Sequence, residues 1–324
     1  MRWSNLFIPT LRDAPAEAEA ISHQLLVRGG FIRQLQSGHY SILPLGWKIH
    51  KKVSAVIREE MDAIGGQEFL LPAMHPADLW QKSGRWETMG EEMFRFVDRK
   101  GADQALGMTH EEVFASLGTE ITSYRHLPQI WYQIQTKFRD EPRPKSGLLR
   151  VREFAMKDSY SFDVDDEGLD ASFDLHHDAY TQIFKRLGLD AFPVEASSGA
   201  MGGSASVEFM VESEAGEDDV ARCSSCGYSA NVERASAALV PIENRSSSEE
   251  PESFPTPDIR TIAALAELGH PPEHQIKTLV YVVDGELTLI LLRGDHPFLE
   301  QKFIDITGAA DLRPATGEDI RSAL

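Results

Sequence analysis

The 324-residue sequence predicts a mixed α/β (α+β) fold, an antiparallel sheet with flanking helices followed by a second, smaller α/β module. Three observations carry that expectation. Between Trp47 and Ile64 the apolar residues Ile49, Val53, Val56, Ile57, Met61 and Ile64 recur at three- and four-residue steps, the stripe of an amphipathic helix. Ile130 to Phe138 and Phe154 to Phe162 read as antiparallel strands around a loop holding Pro142, Pro144 and Gly147. From Glu243 to Asp258 the chain turns to serine, glutamate and proline with little to bury, which marks a linker.

Taken in order, the first helix is stopped by Gly65 and Gly66. Phe69 to Leu71 then reads as a short buried strand ending at Pro72, which cannot donate to a ladder. Asp170 to Leu187 is expected to be a helix with Phe173, Leu175, Ala179, Ile183 and Leu187 in the core. Beyond the linker, Ile259 to Leu268 looks helical. Leu279 to Val283 and Glu286 to Leu292 flank Asp284-Gly285, a two-residue hairpin signal. The expected division is 1–240, a linker at 241–258, and a module at 259–324.

Bulk properties exclude several classes. No stretch reaches the roughly 18 apolar residues of a membrane span, and the Leu6 to Leu11 patch is cut by Pro9, so neither a spanning helix nor a secretory signal is expected. Only Cys223 and Cys226 are present, which offers no disulfide framework and fits a reducing cytoplasm. The net charge of −19 opposes a polyanion globally, so contact with nucleic acid must be local. Arg139, Arg143, Lys145, Arg150 and Arg152 supply one such basic stretch.

In that stretch, Phe138-Arg139-Asp140-Glu141 and Arg150-Val151-Arg152-Glu153-Phe154 put arginines and carboxylates on two strands whose side chains can converge on one face. Arginine forks suit phosphate, and an aromatic face suits a base, so the pattern reads as a nucleotide-phosphate site or a salt-bridge ladder. A GxxxxGK[ST] loop is missing. Thr109-His110-Glu111-Glu112 reads as a helix start with Thr109 as cap and Glu112 closing a capping box. The small-residue run from Ser198 to Phe209 reads as a tight turn into a strand. Cys223 and Cys226 form half of a zinc knuckle; with no second pair to complete four ligands, a reduced, metal-free pair is expected.

FRDE followed by RVREF resembles motif 2 of class II aminoacyl-tRNA synthetases, and the helix, glycine turn, strand and Pro72 resemble motif 1. GMTHEE, WYQIQTKFRDE, REFAMKDSYSF and GGSAS together look like bacterial-type prolyl-tRNA synthetases, along nearly the whole chain. The resemblance implies a class II synthetase catalytic body followed by part of an α/β editing insertion domain. It implies activation of proline with ATP and Mg²⁺, transfer of the prolyl group to the proline tRNA, and a cytoplasmic homodimer formed through motif 1. Arg139 then holds the ATP α-phosphate and the amino-acid carboxylate, Arg152 is a second catalytic arginine, Glu141 meets the adenine amino group and Phe154 stacks on adenine.

Thr109 and Glu111 match the TxE loop that binds the imino acid, with His110 between them and Gly202, Gly203 and Ser204 bordering the proline pocket. Glu208 is a candidate magnesium carboxylate. Val207 stands where family members often have His. Lys277, Asp295 and His296 match the editing site, although Lys277 alone also fits an edge-strand lysine. Thr109, Glu111, Arg139, Glu141, Arg152 and Phe154 are expected to bracket one adenylate. The rivals are threonyl- or seryl-type activation, and a truncated or non-catalytic tRNA-binding or editing relative. No third motif follows Phe209, so the chain is expected to be an N-terminal portion that is inactive in isolation.

Overall fold

The computed structural model describes residues 2–198, 206–214, 216–238, 241–242, 250 and 253–323. They form two compact units, Met1–Phe192 with Val211–Gly216, and Pro193–Met210 with Glu217–Leu324. The boundary expected at residue 240 falls inside the second unit.

The first unit begins with α1 (Ile21–Arg28) and the hairpin β1 (Ile32–Gln36) and β2 (His39–Ile42). Helix α2 (Pro44–Ala63) starts on a proline, whose missing N–H is no loss in a first turn. Its stripe behaves as expected at the C-terminal end, where Ile57, Met61 and Ile64 pack against Ile130 and Tyr132. At the other end Trp47 and Ile49 stay exposed. Strand β3 (Gly66–Glu68) lies parallel to the middle strand of a three-stranded sheet, β7 (Gln129–Phe138), which pairs antiparallel with β8 (Glu153–Phe162) from Gln129↔Phe162 to Phe138↔Glu153. The expected strand at Phe69 to Leu71 is therefore displaced. Phe69 N still donates to Tyr132 O, but Leu70 is exposed, and Leu71 is held by the side chains of Gln133 and Gln135 instead of a ladder.

Between β3 and β7 the chain builds β4 (Met74–Pro76), α3 (Ala77–Lys82), α4 (Arg85–Thr88), β5 (Arg95–Val97), β6 (Asp103–Leu106) and α5 (Glu111–Gly118); β6 is the centre of a small antiparallel sheet. Helix α6 (Asp166–Arg186) is capped by Asp165, which accepts from Gly168 N at 2.9 Å. Ala179 and Ile183 are buried as expected, but Phe173 and Leu175 face solvent. The inward positions nearer the N-terminus carry Ser172, His176 and Tyr180, polar residues bonded to Asp163, Ser159 and Lys157, so apolar spacing misplaced that face.

Strand alternation divides the β7–β8 ladder into two faces. Ile130, Tyr132, Lys157 and Ser159 meet α2 and α6. Trp131, Gln133, Gln135 and Lys137, with their partners Tyr160, Asp158, Met156 and Phe154, form the opposite face.

The second unit contains β9 (Phe192–Ala196), β10 (Ser206–Met210), β11 (Val220–Arg222) and β12 (Ser229–Asn231) in the order β10-β9-β12-β11. After α7 (Ile262–Ala266) come β13 (Ile276–Val283), β14 (Glu286–Arg293), α8 (Glu300–Thr307), β15 (Leu312–Pro314) and α9 (Gly317–Ala323), with β13 central in a three-stranded sheet. The hairpin turn is as expected, with Asp284 at φ 48° and Gly285 at φ 86°, the left-handed pair of a type I′ turn. Val282 and Ile290 are buried, whereas Ile276, Leu289, Leu291 and Ile306 are more than 60% exposed.

Candidate active site

Gly107 starts the site. A Cβ there would lie 2.8 Å from His75 Cε1, so only glycine lets the chain pass the two imidazoles of His75 and His110. Its N–H donates to Ala73 O and its carbonyl accepts from Phe138 N, tying the loop to the end of β7. His75 Nε2 and His110 Nε2 both donate to Pro72 O, at 3.0 and 2.9 Å, with the rings perpendicular. Burial pushes the His110 imidazole down to about 4, with Lys137 and His75 adding to the effect, and burial also lowers His75. Burial thus favours the neutral form of both rings, which pack edge to face.

The expected capping box is absent. His110 occupies the N-cap of α5 without a side-chain bond. Thr109 Oγ1 instead donates to Glu111 Oε1 at 2.7 Å and lies 3.3 Å from the Tyr160 oxygen. Tyr160 accepts from His110 N and donates to Asp158 Oδ2, which also receives Gln133 Nε2, while Lys137 Nζ donates to Asp158 Oδ1 at 2.7 Å. Lys137 is fully buried. Burial lowers its amine and Asp158 opposes that shift; burial also raises the Tyr160 phenol well above its ordinary range. A buried ion pair with this many additional bonds is held in one geometry. On the other side, Arg85 Nη1 reaches Glu111 Oε2 at 3.1 Å and Glu112 Oε1 at 3.0 Å, and Ser83 Oγ donates to Glu112 Oε1 at 2.8 Å. Glu111 thus presents a partly accessible carboxylate, suited to an ammonium group.

The second cluster sits where β7 and β8 meet their connecting loop. The Arg139 guanidinium lies 5.5 Å from the centre of the Phe154 ring, a cation and an aromatic face side by side. Arg139 N donates to Arg152 O. Glu141 is paired with Arg150 Nε at 2.9 Å, and this bond holds its carboxyl below the usual range. Arg152 Nε donates to Glu141 O at 2.9 Å and lies 3.6 Å from Asp140 Oδ1, so in this state it closes the turn. Phe154 lines a cavity of about 400 Å³ with Tyr40, Trp47, His50 and Thr136. The six residues expected around one adenylate therefore form two groups, linked by the Phe138–Gly107 hydrogen bond.

Gly202, Gly203 and Ser204 lie outside the described residues. Glu208 is exposed on β10, its carboxyl raised by burial and by Asp218 and Glu233. Among the described residues no group of three or more His, Cys, Asp or Glu is placed to hold a metal ion. Cys223 and Cys226 are free thiols on a tight turn, with Cys223 N donating to Tyr228 O and Gly227 N to Cys223 O. In the second unit Lys277 Nζ reaches Gly294 O at 3.5 Å, which brings it to the loop carrying Asp295 and His296. Asp295 is bound by Arg293 at 2.6 and 2.8 Å, which lowers its carboxyl, and His296 lines a cavity of about 630 Å³ with Arg234 and Lys302.

Arg85, Lys137, Asp158 and Tyr160 were not singled out from sequence. A signal existed for three of them. Gln133, Gln135 and Lys137 place polar residues at every second position of an otherwise apolar strand, and antiparallel register sets Asp158 and Tyr160 on the same face. Arg85 gave no signal; only the tertiary fold brings it to Glu111.

Residues 94–251 match the tRNA synthetase class II core domain (G, H, P, S and T), and residues 256–324 match the aminoacyl-tRNA editing domain. A proline–tRNA ligase of Anaeromyxobacter sp. (strain Fw109-5) is 56% identical over 327 residues, covering 100% of this chain and 57% of the relative. One from Acidobacterium capsulatum is 54% identical, covering 98% and 57%. The chain thus spans a little over half the length of these relatives. A solved prolyl-tRNA synthetase from Cryptosporidium parvum, complexed with L-proline and AMP, aligns at a TM-score of 0.53 and 17% identity over 62% of this chain and 42% of that one, a likeness of fold.

Proposed function

The chain belongs to the proline–tRNA ligase family of class II aminoacyl-tRNA synthetases, and from that premise we propose that it contributes the site at which proline is activated with ATP to prolyl-adenylate. Transfer to the proline tRNA follows, and the second region removes alanine attached in error. The single observation carrying this reading is the Glu111 carboxylate, held by Thr109 and Arg85 at one end of a rigid sheet face whose other end carries Phe154 and Arg139. The secondary ammonium of proline suits the first, and the base and α-phosphate of ATP suit the second.

Attack of the proline carboxylate on the α-phosphorus brings two anions together, and the new acyl–phosphate bond forms as the α–β phosphoanhydride bond breaks and pyrophosphate leaves. Arg139 stabilises the charge that develops on the phosphoryl oxygens, for which it must exchange the Phe154 face for phosphate while adenine takes the ring. No general base is required, which accords with a buried, neutral His110. Arg152 and Glu141, now closing the turn, serve the nucleotide by opening toward it. Magnesium delivered with the nucleotide would share the phosphate charge, with Glu208 the carboxylate to test; no step here depends on it.

A proline pocket cannot strongly exclude the smaller alanine, so a second hydrolytic site is needed, and Lys277, Asp295 and His296 form it. We take the functional division as 1–240 and 259–324 across a linker at 241–258, a reading supported by separate core and editing matches at 94–251 and 256–324. The exposed Trp47 and Ile49 on α2 support a homodimer through this helix. No helix of the described residues is long and apolar enough to cross a membrane; a place in the cytoplasm is part of the proposed role in charging tRNA.

Proline-dependent ATP–pyrophosphate exchange tests the reading, on the 324-residue chain and on a version extended to the relatives' length. Exchange with proline in the extended protein, and none with threonine or serine, is the expected result. No exchange in either would favour a non-catalytic relative.

A further inference from the structure

Activation as proposed assigns an ammonium-binding role to Glu111, but the structure places a second carboxylate beside it. Glu112 is buried, its side chain 5% accessible against 35% for Glu111. Both acids share one nitrogen, Nη1 of Arg85, and the arginine is fixed by the Trp80 ring, 5.3 Å away, which is itself fully buried. Glu112 Oε1 takes Arg85 and Ser83, yet its Oε2 is buried with no hydrogen-bond partner. A desolvated, unpaired carboxylate oxygen is costly, and hydrogen bonding does not account for it.

Charge accounts for it. Arg85 alone would neutralise Glu111 and leave little to attract a cation. With Glu112 in the cluster, one positive charge faces two negative ones, and the remaining charge of −1 is available only at the accessible Glu111. The neighbouring groups leave this balance intact. Burial favours the neutral form of His75 and His110, and Lys137 is matched by Asp158. We infer that Glu112 is a specificity-determining positioning residue, occupying half of Arg85 so that Glu111 keeps the charge that selects a secondary ammonium over an uncharged ring. The inference rests on the proline reading above and names the device that gives it selectivity.

The test is equilibrium binding of two probes, proline and tetrahydrofuran-2-carboxylate, whose ring oxygen replaces the ammonium. Glu112→Gln keeps the acceptor for Arg85 and Ser83 and removes only the charge. Its preference for proline over the oxygen analogue should fall roughly tenfold, the ratio that about 1.4 kcal/mol represents, while ATP binding is unchanged. The double variant Arg85→Met with Glu112→Gln, which restores a net charge of −1 without leaving a buried acid unpaired, should recover most of the preference. Unchanged preference in Glu112→Gln, or equal loss of both probes and ATP, would overturn the inference. A wild-type chain that binds proline no better than the analogue would instead overturn the proline reading itself.

Discussion

The two sheets with candidate chemistry are clad very differently. The β3-β7-β8 sheet of the first unit is covered on both faces, and its polar side chains are buried and joined, from Lys137 through Asp158 and Tyr160 to Thr109 and Glu111. The β14-β13-β15 sheet of the second unit leaves Ile276, Leu289 and Leu291 bare, and its charges pair at the surface, Arg293 with Asp295 and Arg313 with Asp319. The Glu111 carboxylate is fixed from two sides, by Thr109 and by Arg85. Lys277, by contrast, makes one 3.5 Å bond, to Gly294 O.

The contrast predicts where damage is greatest. Asp158→Ala should cost about 3–5 kcal/mol, because it leaves Lys137 charged and unpaired in the core. Denaturant unfolding followed by the tryptophans of the first unit would measure it, and a loss below 1 kcal/mol would break the comparison. In the version extended to the relatives' length, Arg139→Ala should lower adenylate formation by roughly 10²–10³-fold with the fold intact, and Arg139→Lys should also be poor, since it loses the planar fork. Near-normal pyrophosphate exchange in Arg139→Lys would rule out bidentate recognition.

A smaller effect concerns pH. Burial lowers the Lys157 amine from 10.5 to about 8 in the folded state. Between those values the unfolded chain binds more protons, so stability should rise with pH across that window, and the cost is fully present below pH 8. Lys157→Met should remove that rise, seen as the difference between the two unfolding curves from pH 7 to 10. Smallest is the second unit's hairpin turn, where Gly285→Ala should cost about 1–2 kcal/mol, because an alanine at φ 86° is strained. Hydrogen exchange in β13 and β14 would report it. A larger penalty there than at Asp158 would reverse the contrast between the units.

Legibility in the sequence follows the same division of causes. The β7–β8 ladder, the α2 stripe and the Asp284-Gly285 turn were readable because each is set by local spacing. Phe173 and Leu175 were misassigned because α6 faces β8 with Ser172, His176 and Tyr180, whose partners are other polar groups and leave no apolar signature. Thr109 was read as a helix cap because capping rules see only neighbours along the chain, whereas its hydroxyl is engaged by Glu111 and Tyr160. Motif resemblance located Arg139, Glu141 and Phe154. It could not show that Arg139 rests on Phe154, or that Arg152 closes the turn.

The relay beneath the site also has an order in time. Pro72, Arg85, Thr109, Lys137 and Tyr160 are spread over almost ninety positions of the sequence, and the last of them arrives only with β8. Until that strand pairs with β7, Glu111 and Glu112 are two adjacent like charges on a short helix start, with neither Tyr160 nor the Lys137–Asp158 pair to organise the loop. Contacts of such long range form late in folding. In a chain emerging from the ribosome the carboxylate pair would therefore be organised abruptly, when β8 docks, rather than by degrees.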